Sequence, residues 1–333
     1  MTTAELLALA PTDLPVRRKT RFDGDGNCVA LAALAPHDQA AVATVYAAVQ
    51  AVAARRPPDR GGADPAFLAA VKEVGSERFV RLAQSLGQDT VRRGCEPLAR
   101  KALHDVRGGA LTALVGIASW FETTPPTAFL LATCGLLGRD HCKIMRSAIT
   151  DLDPPRRRED LAGGFHAVGE IVRTWDGATV RTAGHAAEVT IRCDYPGGIA
   201  ACCLENAAVE RVLYNLVNNA ARFTTTGRVE VAVVPVGGDR LVRWVVVNAV
   251  SPEQAEWLAA NGGAGLHGLF REGVTLGGEG LGLSCCADIV AACFGLASPQ
   301  EAVAGGYLGA TVAGGEYVGW FHWPSLSPSR EED

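Results

Sequence analysis

Residues 210–224 read Glu210-Arg-Val-Leu-Tyr-Asn-Leu-Val-Asn-Asn-Ala-Ala-Arg-Phe-Thr224. In a helix, Asn215 and Asn219 are one turn apart and share a face, and Arg222 joins that face a turn later. Two carboxamides and a guanidinium are groups that hold phosphate oxygens and the water shell of Mg²⁺, because hard cations take oxygen ligands. Taken alone, the pair also fits ordinary capping or surface asparagines. A second stretch, Gly277-Gly-Glu-Gly-Leu-Gly-Leu-Ser284, adds weight. Gly278, Gly280 and Gly282 allow backbone N–H groups to approach a phosphate closely, and the helical pattern after them offers an N-terminus that favours anions. No strand immediately precedes these glycines, which excludes a dinucleotide-binding fingerprint. A third stretch, Val245-Val-Val-Asn-Ala-Val250, reads as a buried strand ending in a polar residue, Asn248.

Outward from these stretches, β-rich segments at 179–181, 188–193, 228–234, 241–247 and 317–323 alternate with helical patterns at 206–223, 252–260 and 281–293. This predicts a mixed α/β layer domain. Upstream, Leu103, Val106, Ala110, Ala113, Ile117 and Trp120 recur at helical spacing, forming one apolar stripe. Thr123-Thr-Pro-Pro126 forces a turn, and a second helix is predicted over 127–150. Two helices and a tight turn make a hairpin whose stripe has open flanks, so pairing with a second copy into a four-helix bundle is expected. An Ala-rich helix is predicted over 38–55, a breaker-rich linker over 55–62, and helical spacing again over 65–93. Residues 1–22 read as an irregular arm. Asp23-Gly-Asp-Gly-Asn27 is a turn rather than a calcium loop, because Leu34 stands where the bidentate Glu belongs.

Composition narrows the function classes. The chain has 333 residues, a formal net charge of −5 and 48% hydrophobic residues, which excludes a nucleic-acid-coating protein and a wholly disordered one. Its only lysines are Lys19, Lys72, Lys101 and Lys143, a genomic bias toward arginine. No apolar run reaches the ~18–20 residues that a membrane span needs. The first residues lack the features of a signal peptide, so a cytoplasmic location is expected. The ten cysteines, including the adjacent pairs Cys202–Cys203 and Cys285–Cys286, are then free thiols without zinc-site spacing.

The order of the parts, from Asn-bearing helix through strands and Phe270 to GEGLGL and a closing strand at Trp323-Pro324, resembles the ATP-binding domain of sensor histidine kinases. That family shares a superfamily with gyrase, Hsp90 and MutL. NLVNNAARFT is similar to its N box, GEGLGL to its G2 box, and Phe270 falls at the F box. Leu103-His-Asp-Val-Arg-Gly-Gly109 is similar to its H box, in which the His takes the γ-phosphoryl group and the adjacent acid assists. The resemblance implies four regions: a helical N-terminal region (1–90), a dimerising phosphotransfer hairpin (91–155), an α/β sandwich ATP-binding domain (165–324) and a polar tail (325–333). It implies His104 and Asp105 as the catalytic pair. Asn215, Asn219, Arg222, Asn248, Gly278, Gly280 and Gly282 would bind ATP, with Asn219 also on Mg²⁺. A homodimer and a response-regulator receiver domain are the implied partners.

The chain departs from the family at four places. Asn248 stands where an Asp accepts from the adenine amine, and Val250 where a Gly allows close approach. Arg222 replaces a Lys. Gly108 occupies the position of a Thr or Asn that supports dephosphorylation of the partner. Gly108-Gly109 stands in place of the usual residue and proline, and two glycines within a helix point to a bend there. Two further readings therefore stand beside an autokinase: a non-catalytic phosphotransfer or scaffold protein of the same architecture, and a kinase acting on a partner's serine.

Overall fold

The computed structural model describes residues 1–16, 22–54, 64–92, 94, 97–182, 185–277 and 279–326. The linker expected at 55–62 and positions 327–333 of the tail lie outside the described residues. The chain forms two compact units, Asn27–Asp160 and Met1–Gly26 together with Leu161–Asp333. The helical unit is thus an insertion between the first 26 residues and the rest of the second unit. This differs from the sequence expectation, in which residues 1–90 formed one N-terminal region.

Helix α1 (Thr3–Ala8) opens the chain and belongs to the second unit. The helical unit then contains α2 (Pro36–Ala53), α3 (Pro65–Gly75), α4 (Glu77–Ser85), α5 (Gln88–Arg92), α6 (Pro97–Arg107), α7 (Gly109–Trp120) and α8 (Ala128–Ala148), and α9 (Pro154–Leu161) closes it. Local chemistry sets the starts. Asp64 accepts from the Ala66 N–H at 2.9 Å, Ser76 from Phe79 at 3.2 Å and Thr127 from Leu130 at 3.2 Å, each satisfying an orphan donor of a first turn. Val42, Val45, Val49 and Val52 form the fully buried stripe of α2.

Small residues let the helices approach. A Cβ at Gly138 of α8 would meet Val52 of α2 at 3.2 Å, and one at Gly75 of α3 would lie 2.6 Å from the Ala118 carbonyl carbon of α7. The helix expected from 94 to 122 breaks at Gly108, because Gly109 takes φ +53°, a conformation that favours glycine. Leu103, Val106, Ala110, Ala113 and Ile117 of the predicted stripe are nevertheless buried, and Trp120 is half-buried. Their cover comes from within the chain, since α3 packs on α7 and α2 on α8. The open flanks expected of a lone hairpin are therefore filled by α2 and α3, and the stripe itself no longer calls for a second copy.

The second unit runs β1 (Gly163–Ala167), α10 (Val168–Trp175), β2 (Thr179–Thr182), β3 (His185–Cys193), β4 (Gly198–Cys202), α11 (Cys203–Phe223), β5 (Arg228–Val236), β6 (Leu241–Ala249), α12 (Pro252–Gly262), α13 (Gly282–Phe294), α14 (Pro299–Ala304), β7 (Leu308–Ala313) and β8 (Glu316–Pro324). Six strands form one mixed sheet in the order β2-β3-β5-β6-β8-β7, with β3 and β5 parallel and the other neighbours antiparallel. The parallel pair is joined through α11, as parallel strands require a crossover. β1 and β4 form a separate two-stranded antiparallel ribbon. Helical chain plus mixed sheet makes the molecule α+β in class, and no described helix is long and apolar enough to cross a membrane.

Every residue of β6 before Ala249 is buried, so both faces of the sheet centre are covered. α11 packs against one. The N-terminal arm, expected to be irregular, is fixed by Arg243, which is 0% exposed. The Arg243 guanidinium donates to the carbonyls of Leu6 at 2.6 Å, Leu7 at 3.0 Å, Ala10 at 2.7 Å and Pro11 at 2.8 Å, and its Nε to His322 Nε2 at 2.8 Å. All five acceptors are neutral, and burial pushes the guanidinium down to about 10. Tyr307 adds a bond to the Pro15 carbonyl at 3.1 Å, and Asp25 meets Arg211 of α11 at 2.6 Å.

Two predictions follow from these buried groups. Arg243→Leu leaves five acceptors without their donor and is expected to cost roughly 3 kcal/mol of unfolding free energy, read from urea melts. Burial lowers the His322 imidazole to about 3 and the His141 imidazole to about 4. Both are neutral when folded and take a proton more readily when unfolded, so their stabilisation is complete above about pH 6.5 and is lost as pH falls toward those values. Unfolding free energies from urea melts at pH 7.5 and 5 should differ by about 2 kcal/mol per histidine, and His141→Leu should remove its share of that difference.

Candidate functional site

Helix α11 carries the predicted polar face and is anchored along its length. Glu205 accepts the Ala201 N–H at 2.7 Å near its start. Asn206 donates to buried Glu210 at 2.7 Å, and the Tyr214 ring lies 4.6 Å from that of Trp175 on α10. With one side of the helix fixed, Asn215 is buried, Asn219 half-buried and Arg222 exposed. The face therefore runs from the core to the surface.

Arg222 donates to the Gly277 carbonyl, which ties the end of α11 to the glycine loop. Its guanidinium carbon also sits 5.1 Å above the Phe223 ring. The loop is closed on itself, with the Gly273 N–H bonded to the Gly280 carbonyl at 3.1 Å. Gly280 has φ +68°, and a Cβ there would fall 2.8 Å from the Gly273 backbone. Only glycine fits that position. Gly282 is the first residue of α13, whose first turn has no side-chain cap and so keeps its N–H groups available. Gly278 lies outside the described residues.

Asn248 is buried near the end of β6, opposite Tyr317 of β8. Its Nδ2 donates to the Ala249 carbonyl at 3.2 Å, which commits the amine and leaves the carbonyl oxygen as the acceptor. Val250 is half-buried, and its N–H is held by Gly315 at 3.0 Å. Beyond β6, α12 starts on a reciprocal Ser251–Gln254 cap. A tight coil at Ala264–Phe270 follows, in which Leu266 adopts φ +54°. A branched side chain in that conformation is strained. It is held by packing, since Leu266 and Phe270 are both buried. A cavity of about 160 Å³ lies behind this coil, lined by His267, Phe270, Arg271, Pro299 and Val303; of the residues singled out from the sequence, Phe270 lines it and none of the predicted catalytic or ATP-binding residues does.

His104 is in the last turn of α6 in the helical unit. Its Nδ1 lies 3.3 Å from Asp105 Oδ1, with the His side chain 20% exposed and the Asp side chain 3%. When Nδ1–H donates to this carboxylate, the lone pair is on Nε2, and the ring is a neutral nucleophile. His141 of α8 is buried beside the same pair, its imidazole lowered chiefly by burial and only partly offset by the Val106 backbone and the Asp105 charge.

The structure thus ties Arg222, at the exposed end of the Asn215–Asn219 face, to Gly277 of the glycine loop, and brings His104 to Asp105. Sequence reasoning missed the Arg243 clamp, α10, β1, β4 and β7. A lone Arg inside a valine-rich strand, Leu241-Val-Arg-Trp-Val-Val-Val247, was the available signal for the clamp.

No protein-family model matches the chain, and no curated protein matches it. Solved structures do. The mycobacterial sensor histidine kinase MprB aligns at 16% identity over 43% of this chain and 84% of its own, with a TM-score of 0.30. Full-length ShkA in complex with AMPPNP aligns at 19% identity over 65% of this chain and 43% of its own, with a TM-score of 0.33. The Acinetobacter baumannii histidine kinase AdeS aligns at 13% identity over 66% of this chain and 97% of its own, with a TM-score of 0.28. Superpositions this loose leave any functional reading on the side chains and connectivity described above.

The loop geometry is testable without a ligand. Gly280→Ala is expected to open the 273–280 turn, since the new Cβ clashes with Gly273 backbone in a disfavoured φ. Amide exchange over residues 273–282 should rise about tenfold or more by mass spectrometry, while α11 and the sheet keep their protection.

Proposed function

We propose that this chain is an ATP-dependent protein histidine kinase that phosphorylates His104 and passes the group to an aspartate of a response-regulator receiver domain. The observation that carries this reading is the bond from Arg222 to Gly277, which ties the end of the helix that bears Asn215 and Asn219 to a loop whose Gly280 only a glycine fits. The donor set suits a magnesium nucleotide: carboxamide oxygens for a hard cation, backbone N–H groups and a guanidinium for phosphate oxygens. Mg²⁺, when bound, supplies neutralisation of the charge on the polyphosphate. Asn219 and Asn215 would hold it, Arg222 and the Gly280 backbone would orient the phosphates, and the Asn248 carbonyl oxygen would accept from the adenine amine.

His104 Nε2 then attacks the γ-phosphorus as the bond to the β–γ bridging oxygen breaks. Asp105 holds the Nδ1 proton and stabilises the positive charge that develops on the ring. The proposal puts the chain in the cytoplasm, where thiols such as Cys28, Cys193 and Cys203 stay reduced. The homodimer that the resemblance implies would have to use a surface other than the apolar stripe, which α2 and α3 cover.

The second reading is a phosphotransfer or scaffold protein whose His104 is charged by another kinase. Asn248 and Val250 favour it, because they change the base contact while the phosphate side is kept. Incubation with Mg²⁺ and γ-labelled ATP separates the two. Acid-labile, base-stable label on the wild type, absent in His104→Ala and reduced roughly 100-fold or more in Asn219→Ala, is the result expected of the autokinase. Label that arrives only from a phosphorylated partner protein selects the second reading. Acid-stable phosphoserine on a partner would point instead to a serine kinase.

A further inference from the structure

Three reactive side chains meet around His166 of the β1–β4 ribbon. Cys203 Sγ is 3.5 Å from His166 Nε2, and His166 Nδ1 is 3.3 Å from Glu170 Oε2. The three come from different elements. Cys203 is the first residue of the 21-residue helix α11, His166 is on β1, and Glu170 is on α10. Neither the adjacent pair Cys202–Cys203 nor His166 has a role in the site described above.

We propose that Cys203 is a nucleophilic thiol site that takes low-molecular-weight disulfides, with His166 as its base and Glu170 as the group that orients the base. The local fold accounts for the alignment. Pairing of β1 with β4 is irregular on both sides of His166, between Gly163 and His166 and again before Ala167. Such bulges at sheet edges re-aim a side chain. Glu170 lies one helical turn past the strand end and bonds the imidazole nitrogen that faces it. Nδ1–H then donates to the carboxylate, and Nε2 is the acceptor that faces the sulfur.

The two neighbouring cysteines divide. Cys202 is buried at the end of β4, whereas Cys203 is partly exposed at the helix start. A helix N-terminus stabilises a thiolate, as does an imidazolium beside it. Glu205, the carboxylate in the same first turn, is turned back to accept the Ala201 N–H. Nucleophile, base and orienting acid within hydrogen-bond reach of one another form the arrangement that activates thiols.

The step balances. The Cys203 proton passes to His166 Nε2. The thiolate attacks one sulfur of the disulfide, so that a Cys203–sulfur bond forms and the disulfide bond breaks. The expelled thiolate takes the proton from His166, which leaves a mixed disulfide and one free thiol. Asn219 is 16 residues further along α11, about 24 Å at 1.5 Å per residue, so this site is separate from the proposed nucleotide site.

The test is site-resolved alkylation by iodoacetamide between pH 5.5 and 9, read by peptide mass spectrometry on the full chain. Cys193, which is exposed and whose thiol burial pushes up, is the internal reference. Cys203 should react about tenfold or more faster than Cys193 at pH 6.5 and change little up to pH 8. His166→Asn should restore the steep rise toward about pH 8.5 that an ordinary thiol shows. Glutathione disulfide should add one glutathione at Cys203, and none in Cys203→Ser. Glu170→Gln keeps the side-chain shape and should slow Cys203 about threefold, which carries the test if His166→Asn does not fold. A wild-type Cys203 rate that climbs like that of a free thiol, unchanged by either variant, would overturn the proposal.

Discussion

A buried guanidinium with only neutral acceptors holds the second unit together. Arg243 stands in the middle of a valine-rich strand, where an arginine is costly unless every N–H finds a partner. Its partners are four carbonyls of the N-terminal arm and one imidazole nitrogen. The dependence is mutual. The arm's carbonyls include the last of α1, which have no intrahelical donor, and the arm supplies four of the five acceptors that the strand's cation uses. The neutral state of His322 belongs to the same arrangement, because a protonated ring could not accept from Arg243 Nε.

With the outer face closed in this way, the inner face is free to position α11. The crossover between parallel strands β3 and β5 sets the direction of the helix, and the anchors at Glu205, Glu210, Arg211 and Tyr214 fix its rotation. What emerges at its far end is a graded polar face that meets the glycine loop at one bond, from Arg222 to Gly277. A lysine would offer a point charge there. Arginine offers a planar fork that can hold a carbonyl and still present donors elsewhere.

The parts legible in the sequence were those with a period or a forced backbone. The strands at 228–234 and 241–247 and the helices at 127–150 and 206–223 were read within a few residues, because their patterns run unbroken to a clear stop. Gly280 was legible because its conformation excludes other residues. The break at Gly108 was signalled only by the Gly108-Gly109 pair, since the apolar stripe continues through it in phase and a stripe records which face is buried, not whether the hydrogen-bond ladder is intact. The cover supplied by α2 and α3 was also hidden, because pattern identifies an apolar face and not what lies on it. Arg243, His166 and Cys203 escaped for another reason. Each acquires its partners from residues distant in sequence or in another element, and no local spacing encodes that meeting.

The placement of the first 26 residues in the second unit has a consequence for synthesis. The arm leaves the ribosome well before β6, whose binding face for it follows more than two hundred residues later. At about 5–20 residues per second, that is a wait of roughly 10–50 s. Meanwhile the helical insertion can fold by itself, because its ends meet early. Val29 bonds to Ala148 at 2.9 Å and Thr150 bonds back to Val29 at 3.0 Å, so the insertion closes as a self-contained loop and leaves the leading segment unclaimed. Nascent chains stalled before β6 should therefore expose an apolar α1, a ready target for chaperones that bind short hydrophobic segments.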